Sequence, residues 1–271
     1  MKITCLIDNC ALESFRSEHG LAYYVEACGK HMFFDFGASG AAIENARALG
    51  IDPAAADFAA LSHGHYDHGG GIAAFLAANS RAKVYIRKGA FDKRYSHKPG
   101  CELEYIGLDP ELRSSGRLEE VDELHTICEG ITLFSGVNGD ELHSPANDVL
   151  LGSDAVTPDG FAHEQNLYLR EGDTRVLIAG CAHRGIVNIM QRLRDIDPEP
   201  PTAVFGGFHL AIPGTAEVNG PLVDGTAARL LESRGTVYYT GHCTGLPSFE
   251  RLGADMGERV RYLHAGESVE L

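Results

Sequence analysis

The chain has 271 residues, with 23 Lys and Arg against 38 Asp and Glu, for a formal net charge of −15. That balance argues against nucleic acid or an anionic membrane as partner, because phosphates are drawn to basic patches, but it leaves room for a small anionic substrate. Hydrophobic residues make up 44%, ample for a core, yet no run approaches the roughly 18 apolar residues of a membrane span.

Residues 1–7 form too short an apolar run for a secretory signal and read as a strand. The seven cysteines are odd in number and lack a close-spaced framework, so they read as reduced thiols of a cytoplasmic protein. Strands are expected at 3–8, 22–27 and 31–35, the last ending in the turn signal Asp35-Phe36-Gly37. A helix over 41–49 closes at Gly50. A buried strand at 58–61 runs straight into Ser62-His63, and a helix over 72–78 follows the glycines at 69–71. After a strand at 83–86 the pattern weakens. Residues 87–130 hold the basic cluster Arg87, Lys88, Lys93, Arg94 and Lys98 and read as an irregular insertion over one face of a single domain, 1–271. Strands resume at 131–135, 166–169 and 175–179. The remainder alternates: helix 185–195, strand 203–205, helix 222–234, strand 236–239, helix 247–252, strand 259–264. Four of these strands lead into glycine-rich turns carrying His63, His183, His209 and His242. Rigid scaffolds place functional groups on such loops.

His63, His65, Asp67 and His68 lie within six residues. In an extended segment His63 and His65 share a side, while Asp67 and His68 fall on the turn that opens the next helix. Two adjacent pockets follow: two imidazoles in one, a carboxylate and an imidazole in the other. Imidazole and carboxylate suit zinc, manganese or iron. A His-rich surface loop is the bland alternative, and the placement between a buried strand and a triple glycine speaks against it.

The His-x-His-x-Asp-His segment after a hydrophobic strand resembles the metal-binding motif of the metallo-β-lactamase superfamily. Asp35-Phe36-Gly37 is similar to the family's early Asp-x-Gly turn, and Tyr238-Tyr239-Thr240-Gly241-His242 to the late strand that delivers a last histidine. Gly180-Cys181-Ala182-His183, Gly206-Gly207-Phe208-His209 and Gly241-His242-Cys243-Thr244-Gly245 further resemble the subgroup labelled dihydropterin–ribofuranosylaminobenzene phosphate synthase-like. The resemblance implies an α/β fold, a four-layer αββα sandwich of two mixed sheets flanked by helices. It also implies one or two divalent metals, zinc first, held by His63, His65, Asp67, His68, His183 and His242. One departure stands out: Gly180-Cys181 replaces the usual Gly-Asp, so the bridging carboxylate is missing or supplied elsewhere. Cys181 and Glu164 are the candidates to replace it.

With metals bound, the expected activity is hydrolysis of a small phosphorylated or ester-like metabolite, in the narrower form pterin-related. Asp67 binds metal and orients the water; His209 contacts substrate or donates a proton. His19, Arg87, Lys88 and Arg94 are the candidate substrate contacts. Iron-dependent oxygen chemistry and a non-catalytic metabolite sensor are the competing readings, and a homo-oligomer is compatible with all three. His97, His125, His143, His163 and His264 lack any such setting and read as structural.

Overall fold

The computed structural model describes residues 1–212 and 214–271. Among them, two seven-stranded mixed sheets lie face to face. The first runs, in spatial order, Ser268–Glu270, Lys2–Ile7, Ala22–Ala27, Lys30–Phe34, Phe58–Ala60, Lys83–Arg87, Leu118–Val121. The second runs Val260–Tyr262, Val237–Thr240, Ala203–Phe205, Thr174–Ile178, Asn166–Glu171, Ile131–Phe134, Leu124–Cys128. A small third sheet of Leu150–Leu151, Tyr95–Ser96 and Glu104–Tyr105 stands apart.

The layering follows from side-chain alternation, because successive residues of a strand point to opposite faces. On the first sheet Tyr23, Val25, Met32, Phe34, Phe58 and Ala60 turn inward and meet Leu167, Val176, Ile178, Ala203, Phe205 and Tyr239 of the second. The residues between them turn outward. Tyr24, Phe33 and Ala59 pack beneath the helices Ala41–Ala48 and Ile72–Ala78. Leu177, Val204 and Tyr238 pack beneath Ile186–Arg194, Gly220–Leu231 and Leu246–Met256. Both faces of each central strand are covered, which is why these strands read as continuous apolar runs. The result is the expected helix–sheet–sheet–helix sandwich.

Most elements fall where the sequence places them, and 22–27, 72–78 and 203–205 match to the residue. The stretch 87–130 needs correction. Leu118–Val121 and Leu124–Cys128 are strands, pairing in parallel with Lys83–Arg87 in the first sheet and antiparallel with Ile131–Phe134 in the second. Only the part before Leu118 is irregular, and it supplies two strands of the small sheet. The expected helix over 222–234 starts earlier, at Gly220, where the Asn219 side chain accepts from Leu222 N–H. No helix among the described residues is long and apolar enough to cross a membrane.

In the second sheet the strands ending at Ile178, Phe205 and Thr240 run parallel and adjacent. Their C-terminal ends, with that of Phe58–Ala60, therefore open on one edge of the sandwich. All four histidine turns emerge there.

Candidate metal centre

Each turn is held in a conformation its sequence would not choose alone. Ala182, His209 and His242 have φ of +52°, +52° and +46°, left-handed values that cost a non-glycine residue about 1–2 kcal/mol each. Buried carboxylates hold two of these turns. Asp8 Oδ1 accepts His242 N–H at 2.6 Å, and Glu164 accepts His183 N–H at 2.7 Å and Arg184 N–H at 3.1 Å. In the 62–70 segment, a Cβ at Gly64 would overlap the Ala90 carbonyl, so only glycine lets this chain pass beneath residue 90.

The histidine tautomers are set by their neighbours. Asp35 Oδ2 accepts from Ser62 Oγ at 2.7 Å and from His68 Nδ1 at 2.6 Å. Ser62 Oγ has thus given its proton away and accepts His63 Nδ1–H at 2.8 Å. Asn147 and Asn9 do the same for the distant pair: Oδ1 of each lies 2.9 Å from Nδ1 of His183 and of His242. Each of these amides donates to the backbone carbonyl of the same histidine, at 2.8 and 3.4 Å, which fixes its orientation. In their neutral form all four rings therefore carry hydrogen on Nδ1 and a lone pair on Nε2.

These lone pairs face one another. Nε2 of His63 lies 3.2 Å from Nε2 of His183, and Nε2 of His68 lies 3.2 Å from Nε2 of His242. Two imidazole lone pairs reach that separation only with a cation between or beside them, a metal ion or a proton. His65, whose buried Nε2 has no partner among the described residues, stacks edge-on at 4.6 Å from His63 and 5.0 Å from His183. Asp67 Oδ2 is 3.4 Å from His242 Nε2 and 4.0 Å from His68 Nε2. Cys181 is buried between the pairs, grouped with His63 and His183 on one side and with His68 and His242 on the other, its Sγ 3.1 Å from His68 Nε2. The donor set fits divalent metals: imidazole nitrogens, a carboxylate and a thiol, held by a second tier of hydrogen bonds.

Electrostatics divide the cluster. Burial first, then the neighbouring imidazoles, hold His63 and His183 well below the ordinary imidazole range, and push His65 down to about 3. His242 goes the other way: burial pulls it down, but the Asp67 carboxylate outweighs that and raises it to about 9. Asp67 is correspondingly held well below the usual carboxylate range: burial pushes it up, but His68 and His242 outweigh that.

The structure thus gathers all seven residues: His65, Asp67, Cys181, His183 and His242 line one cleft of about 340 Å³, and His63 and His68 lie buried directly behind them. His19 and His209 stand at its wall, His19 Nε2 being 3.4 Å from Asp67 Oδ2. Other expected residues fall elsewhere. Glu164 joins none of the metal-sized groups among the described residues; both its oxygens are spent on backbone N–H groups. Arg87, Lys88 and Arg94 do not line the cleft. Arg94 is buried and paired with Asp159 at 2.7 Å, and Arg87 donates to Val121 O. The cation of the basic cluster that does line the cleft is Lys98. The sequence assigns no role to Asp8, Asn9 or Asn147, and Cys243 stands there only as part of the Gly241–Gly245 motif. Only the Asp8-Asn9 pair at a strand end gave any signal, a polar turn where function concentrates. His163, read as structural, is buried beside His65, accepting from Gly64 N–H at 2.9 Å and pairing with Asp159 at 3.0 Å.

The metallo-beta-lactamase superfamily model matches residues 17–242. This chain belongs to that superfamily. An uncharacterised protein of Methanocaldococcus jannaschii is 27% identical over 98% of this chain and 99% of its own length. The 7,8-dihydropterin-6-methyl-4-(beta-D-ribofuranosyl)-aminobenzene-5'-phosphate synthase of the same organism is 24% identical, over 94% of this chain and 91% of its own. Among solved structures, a metal-dependent hydrolase of the beta-lactamase superfamily superposes with a TM-score of 0.80 at 28% identity, covering 100% of this chain and 99% of the other. The superfamily fold and the donor-lined cleft coincide in one chain.

Proposed function

We propose that this protein is a metal-dependent hydrolase acting on a small anionic metabolite of phosphoester or ester type. The observation that carries the reading is the pair of facing imidazole couples, His63 with His183 and His68 with His242, of which His183 and His242 open onto a substrate-sized cleft. Its 28% identical structural relative, described as a metal-dependent hydrolase, supports the reaction class. The synthase relative supports its narrower form, a pterin-linked phosphorylated substrate.

His63, His65 and His183 would hold one ion, zinc first and manganese or iron as alternatives. Asp67, His68 and His242 would hold a second, with Cys181 standing where the family's carboxylate usually bridges. An ion bound by these residues would lower the pKa of a coordinated water to near neutrality and polarise the scissile group. Asp67, ionised and beside His242, orients the attacking water. Lys98 is positioned at the cleft wall to neutralise an anionic tail.

Metal analysis of protein purified without chelator, followed by a panel of phosphoesters, esters and lactones, tests the reading. Turnover abolished in His65→Ala supports it. Turnover untouched by that substitution, or stoichiometric iron with oxygen uptake, would sink it.

A further inference from the structure

Beside the histidine pockets lies a further set of donors that shares only Cys181 with them. The strands ending at Ile178 and Thr240 flank the strand ending at Phe205, and that middle strand continues into Gly206-Gly207. A Cβ on Gly207 would collide with the Cys243 sulfur, and one on Gly206 with the Ala179 carbonyl. With no side chains on the middle strand's end, the flanking turns close over it and Cys181 and Cys243 meet. Cys243 Sγ lies 3.5 Å from the Cys181 carbonyl oxygen. His209 completes the set: the donor atoms of Cys181, His209 and Cys243 all lie within 4.8 Å of one another.

His209 reaches this place at a cost. Its φ of +52° is left-handed, and its turn is fastened by Phe208 N–H donating to Thr244 Oγ1 at 2.9 Å. Both its ring nitrogens are buried, and neither makes a well-aligned hydrogen bond among the described residues, the Cys243 thiol being the polar group beside them. A buried polar atom left unpartnered costs about 1–3 kcal/mol, so strained backbone and orphaned ring together point to a ligand as the missing partner. Two sulfurs and an imidazole select a thiophilic ion.

We propose that Cys181, His209 and Cys243 form a soft-metal position of their own, holding one thiophilic divalent ion, zinc first, in addition to ions in the histidine pockets. Cys181 is the shared corner, since a thiolate has lone pairs for more than one ion. Three protein donors leave a fourth position, which faces the cleft that all three residues line. Binding expels the thiol protons and oxidises nothing. The site does not depend on the hydrolytic reading, because metal content reports on it without turnover.

The test loads wild type, Cys243→Ser and His209→Ala with zinc, removes loose metal by gel filtration and measures zinc per chain. Wild type is expected to hold one equivalent more than either variant. A cobalt titration of wild type should show a near-ultraviolet sulfur-to-cobalt phase that Cys243→Ser lacks. Equal metal content in all three proteins overturns the proposal. So does mass spectrometry of alkylated wild type showing Cys181 and Cys243 joined as a disulfide. Should Cys243→Ser fail to fold, His209→Gln and the wild-type titration decide.

Discussion

Asp35 holds His68 by a 2.6 Å hydrogen bond to Nδ1, with both side chains shut off from solvent. The same carboxylate receives the Ser62 backbone N–H at 2.6 Å and the Ser62 hydroxyl at 2.7 Å, and through that hydroxyl orients His63. One side chain thus sets a donor for each of two metal pockets. Asp35→Asn keeps the size and tolerates the left-handed φ of +62°, but its amide cannot accept all three bonds. Metal affinity should fall by roughly 10–100-fold, the usual cost of losing a partner behind a ligand. Competition with a chromophoric chelator measures it, and unchanged affinity refutes the tautomer argument.

Glu164 is a different kind of support, since it touches backbone and no imidazole nitrogen. Glu164→Ala would strand the buried N–H groups of His183 and Arg184 beside the left-handed Ala182. Each stranded donor costs about 1–3 kcal/mol. Thermal unfolding of the chelated variant should therefore drop by several degrees. If Glu164 were instead a metal ligand, the loss would show only in the metal-loaded protein.

Arg94 and Lys98 separate structure from substrate within one basic cluster. Arg94 and Asp159 form a buried pair, and removing one partner leaves an uncompensated charge, typically worth 3–5 kcal/mol. Arg94→Met should destabilise the fold. Lys98 makes no ion pair among the described residues and lines the cleft. Lys98→Ala should leave the melting temperature unchanged and raise KM for an anionic substrate up to about 5-fold, the scale of an exposed charge pair of up to ~1 kcal/mol. A Lys98→Ala enzyme with wild-type KM would remove the residue from substrate binding.

Much of this was legible in the sequence because it is local. The 63–68 donors are fixed by their spacing, and strands such as Ala22–Ala27 by their apolar runs. Leu118–Val121 and Leu124–Cys128 escaped because both are edge strands rich in Glu, His and Thr, with little apolar alternation to mark them. Asn9 and Asn147 escaped for another reason. Their importance lies in facing His242 and His183, 233 and 36 residues away, and nothing near them in the chain records that. Cys243 becomes visible only once the strand ends at Ile178 and Thr240 are known to flank a pair of glycines.

Protonation should give the metal-free protein two opposite signatures. His63, His65 and His183 have folded pKa values below the unfolded value near 6.5. Such groups stabilise the fold above that value, and the contribution is lost as pH falls toward the folded one. The chelated protein should thus melt earlier on acidification from pH 7 to 4. His242, raised to about 9, contributes stability that is full below about 6.5 and lost as pH rises through 9. At neutral pH it carries a proton on the nitrogen that a metal would take. Metal binding near pH 7.5 must expel that proton, so calorimetric heats should depend on the ionisation enthalpy of the buffer. Cysteine ligation releases protons too, which makes the decisive comparison His242→Ala: about one proton fewer should be released per ion bound. Equal release by both proteins would mean that His242 is already neutral, and that its pairing with Asp67 does not govern the second pocket.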